Sequence, residues 1–260
     1  MNINLSTKAN ITWCPGCPDS AILVAFRQVI TELIREEKVK LENVVVVSGV
    51  GCHGKISDYL NVNTFNSLHG RLVPFMTGVK VANPKLQVFG FSGDGDSYAE
   101  GIAHLVHAAR RNSDINLFVH NNQVFALTTG QATPTTPKGF KGKSTPYGSI
   151  EEPFNPLLLM LSVGATFVAR TYAGDINKTK EIMKAAAAHK GFSFVDIIQP
   201  CITFFDTRKH FQEHTFWLED KFPRNDVGLA MEMVRQDKGK IPLGVFYNIY
   251  KPIFEQQVYE

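Results

Sequence analysis

The sequence has 260 residues, 44% of them hydrophobic and 20% charged, with a formal net charge of +3. Such a chain is globular and long enough for one large domain or two small ones. The weak, dispersed positive charge gives no reason to expect nucleic acid or an acidic membrane surface as a partner.

Along the chain, a first helix is expected over 19–38, with Asp19 as its cap and Ile22, Phe26, Val29, Ile30, Leu33 and Ile34 on one face. The β-branched run Val44, Val45, Val46 and Val47 reads as a buried parallel strand ending at Ser48-Gly49. A short helix over 77–81 stops at Asn83-Pro84. A second strand spans 86–91 and ends at Ser92-Gly93. A helix over 97–111 carries Ile102, Leu105, Val106 and Ala109 on one stripe, and a third strand covers 115–119, ending at Asn121-Asn122. Residues 130–153 have no periodicity and contain Pro134, Pro137, Pro146 and Pro153; a loop this long is usually functional or disordered. A helix at 156–163, a strand at 165–170, a helix at 177–190 and a strand at 192–198 follow, the last closed by Pro200-Cys201. The tail from 204 is mixed and aromatic, with no clear assignment.

No apolar run reaches the roughly 20 residues that span a bilayer. The N-terminus lacks the basic and apolar segments of a signal peptide, so a cytoplasmic protein with no membrane partner is expected. Strand–helix alternation at this spacing predicts a doubly wound α/β domain with a mostly parallel sheet. Such sheets bind ligands beyond the carboxyl ends of their strands. The unusual residues fall there: Cys52 after the first strand, Gly93-Asp94-Gly95 after the second, Asn121-Asn122 after the third and Cys201 after the last.

Gly93-Asp94-Gly95-Asp96 lies between a strand and a helix. Its glycines let the backbone approach a phosphate, and Asp94 offers an oxygen to a hard cation. Asn122, 28 positions later, offers a second oxygen. Mg2+ takes a few such oxygens together with phosphates of its ligand. The same residues would also serve as a tight turn and a polar strand end. Only four cysteines occur, Cys14, Cys17, Cys52 and Cys201, too few for a disulfide scaffold. The Cys14-Pro15-Gly16-Cys17 pair plus two distant singles suits an iron–sulfur cluster, zinc, or plain buried thiols.

Gly-Asp-Gly followed at this distance by Asn resembles the thiamine-diphosphate motif, in which the Asp, the Asn and a carbonyl two residues on, here that of Val124, hold the magnesium. More specifically, WCPGC at 13–17, VGCHGK at 50–55, HGR at 69–71, GVKVANP at 78–84, GDGD at 93–96, HAARRN at 107–112 and LTTGQ at 127–131 resemble the β subunits of 2-oxoacid:ferredoxin oxidoreductases. The similarity runs from Trp13 to Cys201 and resumes with IPLGVFY at 241–247. It implies a thiamine-diphosphate-binding fold over 1–203, with 204–260 a C-terminal extension packing on the same domain or on a partner subunit.

The resemblance also implies a [4Fe-4S] cluster held by Cys14, Cys17, Cys52 and Cys201, and Mg2+ held by Asp94, Asn122 and Val124. Gly51, Cys52, Gly93, Gly95, Asp96, Ala126 and Leu127 would line thiamine diphosphate. His69 is the candidate for a polar contact to the cofactor or the reacting centre. Arg71 could meet a carboxylate, and Lys138, Lys141 and Lys143 coenzyme A phosphates. The reaction implied is coenzyme A-dependent oxidative decarboxylation of a 2-oxoacid, 2-oxoglutarate or pyruvate, with electrons leaving through the cluster to ferredoxin.

The glutamate that activates the thiazolium comes from the α subunit in that family, so this chain is expected to act only with such a partner. No C-x-x-C-x-x-C-x-x-x-C run supplies a built-in ferredoxin-like domain. The chain departs from the family pattern at Pro18 (usually Gly), Asn121 (usually Asp), Phe125-Ala126 (usually Tyr-Gly) and Thr129 (Lys in some relatives). Two alternatives are a non-redox thiamine-dependent decarboxylase subunit and a zinc-stabilised binding subunit.

Overall fold

The valine run forms β1 (Val44–Ser48), apolar on both faces because both are covered. In the computed structural model, which describes residues 3–235 and 239–260, β1 is one of eight strands in a single sheet. The others are β2 (Asn63–Asn66), β3 (Gln87–Gly93), β4 (Asn116–Asn121), β7 (Phe167–Tyr172), β8 (Ser193–Ile198), β9 (Thr215–Trp217) and β10 (Ile241–Asn248). A separate two-stranded ribbon pairs β5 (Val124–Phe125) with β6 (Gln131–Ala132). The strand order is β2-β1-β3-β4-β8-β7-β10-β9. The six strands from β2 to β7 in that order are parallel, and β10 turns antiparallel to β7.

Side chains alternate across the strands and divide the core in two. Val46, Phe89, Phe91, Phe118 and Val195 face α1 (Asp19–Arg35) and α5 (Ile176–Ala188). Val47, Val88, Leu117, Val119 and Phe194 face α2 (Leu72–Ala82), α3 (Ile102–Arg111), α4 (Pro156–Ser162) and α7 (Val227–Arg235). Phe26 of α1 is fully buried and meets Phe89 and Phe91 edge-on at 5.1 and 4.9 Å. Truncating such a ring costs about 3–5 kcal/mol. Helices on both faces of a mostly parallel sheet are the doubly wound architecture that the sequence predicts.

Several expectations change in detail. The first helix stops at Arg35, and Glu37 takes a left-handed conformation (φ 55°). Asp19 does not cap it: Pro18 occupies that position, and the Asp19 carboxylate is buried against His120 instead. The helix expected at 77–81 begins at Leu72, because Pro74 in the first turn removes an N–H that had no partner there. The helix expected over 97–111 is split into a π-helical turn, Gly95–Glu100, and α3. The split falls at Gly101, where a Cβ would lie 2.9 Å from the Asp96 carbonyl oxygen and 3.1 Å from that of Gly70. The strand expected at 165–170 lies two residues later, at Phe167–Tyr172.

The unassigned tail forms α6 (Arg208–His214), β9, α7, β10 and α8 (Phe254–Tyr259). Residues 236–238 of that stretch lie outside the described ones. β10 enters the sheet beside β7, so this segment extends the same core. The parallel strands β1, β3, β4 and β8 all end on one edge, where the site is built.

Candidate functional site

Two adjoining clefts open at that edge. The first has an empty volume of about 450 Å3, and its lining includes Gly51, Cys52, His69, Gly93, Asp94, Gly95, Asp96, Asn122, Val124, Ala126 and Leu127. These are all the residues that the sequence assigns to cofactor and magnesium. The second, about 630 Å3, is lined by Cys14, Cys17, Cys52 and Cys201, all the cysteines of the chain. Cys52, Asn122, Ala126 and Leu127 belong to both.

Asp94 sits where β3 ends and the π-helical turn begins. It is 2% exposed, and its Oδ2 accepts hydrogen bonds from Thr133 Oγ1 (2.5 Å) and Thr135 Oγ1 (2.8 Å). Burial pushes its carboxyl up to about 6, against the pull of the two hydroxyls. No cationic side chain among the described residues pairs with it. A buried carboxylate without a counter-charge is costly, and a divalent cation is the group that would relieve it. Asn122 is also buried. Its Oδ1 accepts from Val124 N at 3.2 Å, and its Nδ2 donates to Gln199 Oε1 at 3.1 Å. Gln123 between them has φ 64°, which turns the chain sharply enough to bring Val124 beside Asn122. A Cβ on Gly95 would lie 2.1 Å from the Phe125 ring, so the glycine is required by close packing.

Asp96 lines the same cleft, but its carboxylate is engaged by the protein. Oδ1 accepts from Gly70 N at 2.6 Å and Oδ2 from Ser92 Oγ at 2.7 Å. His53 Nε2 lies 3.3 Å from Oδ2, within ion-pair reach but out of hydrogen-bond alignment. With these partners the carboxyl stays below its ordinary range despite burial. His69 Nδ1 is 3.6 Å from Asp96 Oδ1, too far for a hydrogen bond, and the ring is half-buried at the cleft wall. Gly51 (φ 151°) and Gly93 give His53 its space: a Cβ on either would fall within 2.7 Å of that ring. Arg71 reaches the backbone carbonyls of Gly70 and Glu100 rather than a carboxylate. Lys138 pairs with Glu152 at 2.5 Å on the surface, and none of Lys138, Lys141 and Lys143 lines either cleft.

Around the cysteines, Trp13 Nε1 donates to the Cys52 carbonyl at 2.7 Å. The Cys17 thiol faces Asp19 Oδ2 at 3.5 Å and receives Gln199 Nε2 at 3.7 Å, and Thr203 Oγ1 approaches Cys14 Sγ at 3.3 Å. Burial, with the Asp19 charge beside them, raises both Cys17 and Cys52, the latter to about 11. Thiolates are therefore disfavoured here without a bound metal to compensate them. A single tetrahedral zinc requires sulfurs about 3.8 Å apart. No three His, Cys, Asp or Glu side chains among the described residues are gathered to hold one ion. Four thiols around one cleft are the donor set that an iron–sulfur cluster takes.

Several site residues carry no motif. Thr133 and Thr135 come from the proline-bearing loop, and the only signal was a threonine run, TPTT at 133–136, inside it. Their hydroxyls join Asp94 to Asn121, which in turn donates to Asp196 at 3.0 Å. His53, inside the VGCHGK run, lines the first cleft, and the His120 ring centre lies 6.1 Å from its own. His120 Nδ1 meets Asp19 Oδ1 at 2.7 Å, and burial, opposed by the Asp19 charge, holds the ring below the ordinary histidine range. Gln199, before Pro200-Cys201, could have been suspected only from its place at a strand exit.

Comparison with known proteins bears on the family and the fold. Residues 49–197 match the model of the thiamine pyrophosphate enzyme C-terminal TPP-binding domain. Residues 201–260 match that of the C-terminal region of the pyruvate ferredoxin oxidoreductase β chain. The chain is 40% identical to 2-oxoacid:ferredoxin oxidoreductase 1, subunit β, of Aeropyrum pernix, over 95% of this chain and 80% of that protein. It is 40% identical to the 2-oxoglutarate synthase subunit KorB of Archaeoglobus fulgidus, over 86% of each. A solved 2-oxoglutarate:ferredoxin oxidoreductase from Magnetococcus marinus, with 2-oxoglutarate, coenzyme A and succinyl-CoA bound, superposes with a TM-score of 0.93 at 34% identity. That match covers 98% of this chain and 87% of the other. Fold, strand-exit motifs and overall similarity thus converge, and the chain belongs to the β subunits of the 2-oxoacid:ferredoxin oxidoreductases.

Proposed function

We propose that the chain is the cofactor-bearing half of a coenzyme A-dependent oxidoreductase that converts a 2-oxoacid to acyl-CoA and CO2 and delivers the electrons to ferredoxin. The observation that carries this is the adjacency of the two clefts, which share Cys52, Asn122, Ala126 and Leu127. Bound there, thiamine diphosphate supplies the electron sink for decarboxylation, and a [4Fe-4S] cluster a one-electron exit.

The chain's own residues would do the following. The Asp94 carboxylate, Asn122 Oδ1 and the Val124 carbonyl hold Mg2+ and through it the diphosphate. Gly93 and Gly95 leave room for the His53 and Phe125 rings, which pack against them at the cleft. Asp96 holds the Gly70 backbone and the Ser92 hydroxyl in place and puts a carboxylate within ion-pair reach of His53. Ala126 and Leu127 separate the cofactor cleft from the cysteines with apolar atoms and exclude water there. Cys14, Cys17, Cys52 and Cys201 ligate the cluster. Residues 1–203 carry both cofactors, and 204–260 pack on the same domain.

Among the described residues no glutamate lines either cleft, which supports an α subunit as the source of the group that activates the cofactor. No described helix is long and apolar enough to cross a membrane, and we place the enzyme in the cytoplasm. The bound 2-oxoglutarate of the solved relative makes 2-oxoglutarate the first substrate to try, with pyruvate second.

The test is anaerobic co-expression with its α subunit, followed by iron and sulfide analysis. Four iron and four sulfide per chain are expected. Reduction of ferredoxin should require both a 2-oxoacid and coenzyme A. Stoichiometric zinc, or aldehyde release without an electron acceptor, would refute the proposal.

A further inference from the structure

Gln199 directly follows β8 and is 1% exposed. Its backbone N–H donates to the Asn121 carbonyl at 2.9 Å, so the sheet fixes where its side chain begins. Its two amide atoms then serve different clefts. Oε1 accepts from Asn122 Nδ2 at 3.1 Å, while Nε2 donates to Cys17 Sγ at 3.7 Å, with the Pro200 carbonyl at 3.5 Å as a second contact. A buried amide is costly unless both ends are bonded, and these partners satisfy both.

The arrangement has one consistent orientation. An amide oxygen can accept only from the nitrogen end of Asn122. Bonding to Gln199 Oε1 therefore fixes Asn122 Nδ2 inward and directs Oδ1 to the Val124 side of the magnesium cleft. Once Oε1 is engaged in this way, the donor end of Gln199 must face Cys17. A thiolate there would accept that N–H, and the bond would strengthen as the cluster gains an electron. Hydrogen bonds to cluster sulfurs act on the reduction potential in this way.

We infer that Gln199 is a positioning residue that ties the two cofactor sites together: it holds the Asn122 oxygen toward the cation and, through Cys17, raises the reduction potential of the cluster. This rests on the cofactor assignment proposed above. The test uses the anaerobic αβ holoenzyme carrying Gln199→Met, which keeps chain length and volume, or Gln199→Leu. One measurement is a dye-mediated potentiometric titration of the cluster followed by electron paramagnetic resonance. The other is the Mg2+ concentration that half-saturates thiamine diphosphate binding.

The cluster midpoint should fall, by about a tenfold change in its reduction equilibrium, or about 59 mV for one electron. The half-saturating Mg2+ concentration should rise about tenfold. A merely structural glutamine would lower the folding midpoint without moving the potential of the clusters that remain. A variant with full iron content and an unmoved midpoint overturns the inference, as does unchanged Mg2+ dependence. A wild-type holoenzyme without four iron per chain would instead defeat the cofactor assignment itself.

Discussion

Asp94→Asn should act in opposite directions on the metal-free and loaded protein. Burial lifts the Asp94 carboxyl from its ordinary 3.8 to about 6 in the metal-free chain. The folded state therefore holds a proton on Asp94 that the unfolded chain has released. Above pH 6 the ionised carboxylate weakens folding by the full difference, about 3 kcal/mol. As pH falls from 6 toward 3.8 this cost disappears. An asparagine carries no charge and keeps an acceptor oxygen for Thr133 and Thr135, although its neutral hydrogen bonds are weaker by about 1 kcal/mol. The net is a gain of about 2 kcal/mol at pH 7, a rise in Tm of about 4–8 °C for a chain of this size.

The loaded protein should behave the other way. Mg2+ and thiamine diphosphate at one hundred times their dissociation constant stabilise the wild type by about 2.7 kcal/mol. The variant should lose that increment, because the charge that holds the cation is gone. Thermal unfolding at pH 7, with and without Mg2+ and thiamine diphosphate, reads both effects. An Asn variant less stable than the wild type without metal, yet still stabilised by the cofactors, would refute the assignment of Asp94 as a buried carboxylate awaiting a cation.

Gly95→Ala would place a methyl 2.1 Å from the Phe125 ring and push that ring into the cofactor cleft. Calorimetric titration should show about tenfold weaker thiamine diphosphate binding with the fold intact. Lys80→Met removes the cation that meets the Asp114 carboxylate at 2.7 Å in the interior and should cost about 3–5 kcal/mol in urea unfolding; a loss under 1 kcal/mol would show that Asp114 finds other compensation. His120, kept below 6.5 by burial, takes up its proton more readily when unfolded. Its share of stability is thus intact above pH 6.5 and lost as pH falls from there to the folded value, and His120→Gln should remove that part of the slope of the urea midpoint against pH.

The strands β1, β3, β4 and β8 were legible because buried parallel strands are continuous apolar runs, and their ends were marked by Gly, Asn and Pro. The tail was not, because β10 contains Pro242 and Gly244 and takes its place through pairing with β7 and β9. β2 is short and mostly polar, and all four of its residues are exposed, so no pattern marks it; pairing with β1 makes it a strand. The π-helical turn after Asp94 was also hidden, since it depends on the approach of Gly70 to Gly101 from another part of the chain.

By itself, then, the sequence determined which carboxylate, which amide and which thiols stand near strand exits, since those identities and spacings are local. Only the tertiary structure decided how their oxygens, nitrogens and sulfurs are directed. Thr133 and Thr135 reach Asp94 across about forty residues, Asp19 leaves its helix cap to meet His120, and Gln199 stands between Asn122 and Cys17. These contacts join segments far apart in the chain, and burial makes them obligatory. A polar group removed from water must find a partner, and where that partner lies is set by the packing of the sheet and its helices.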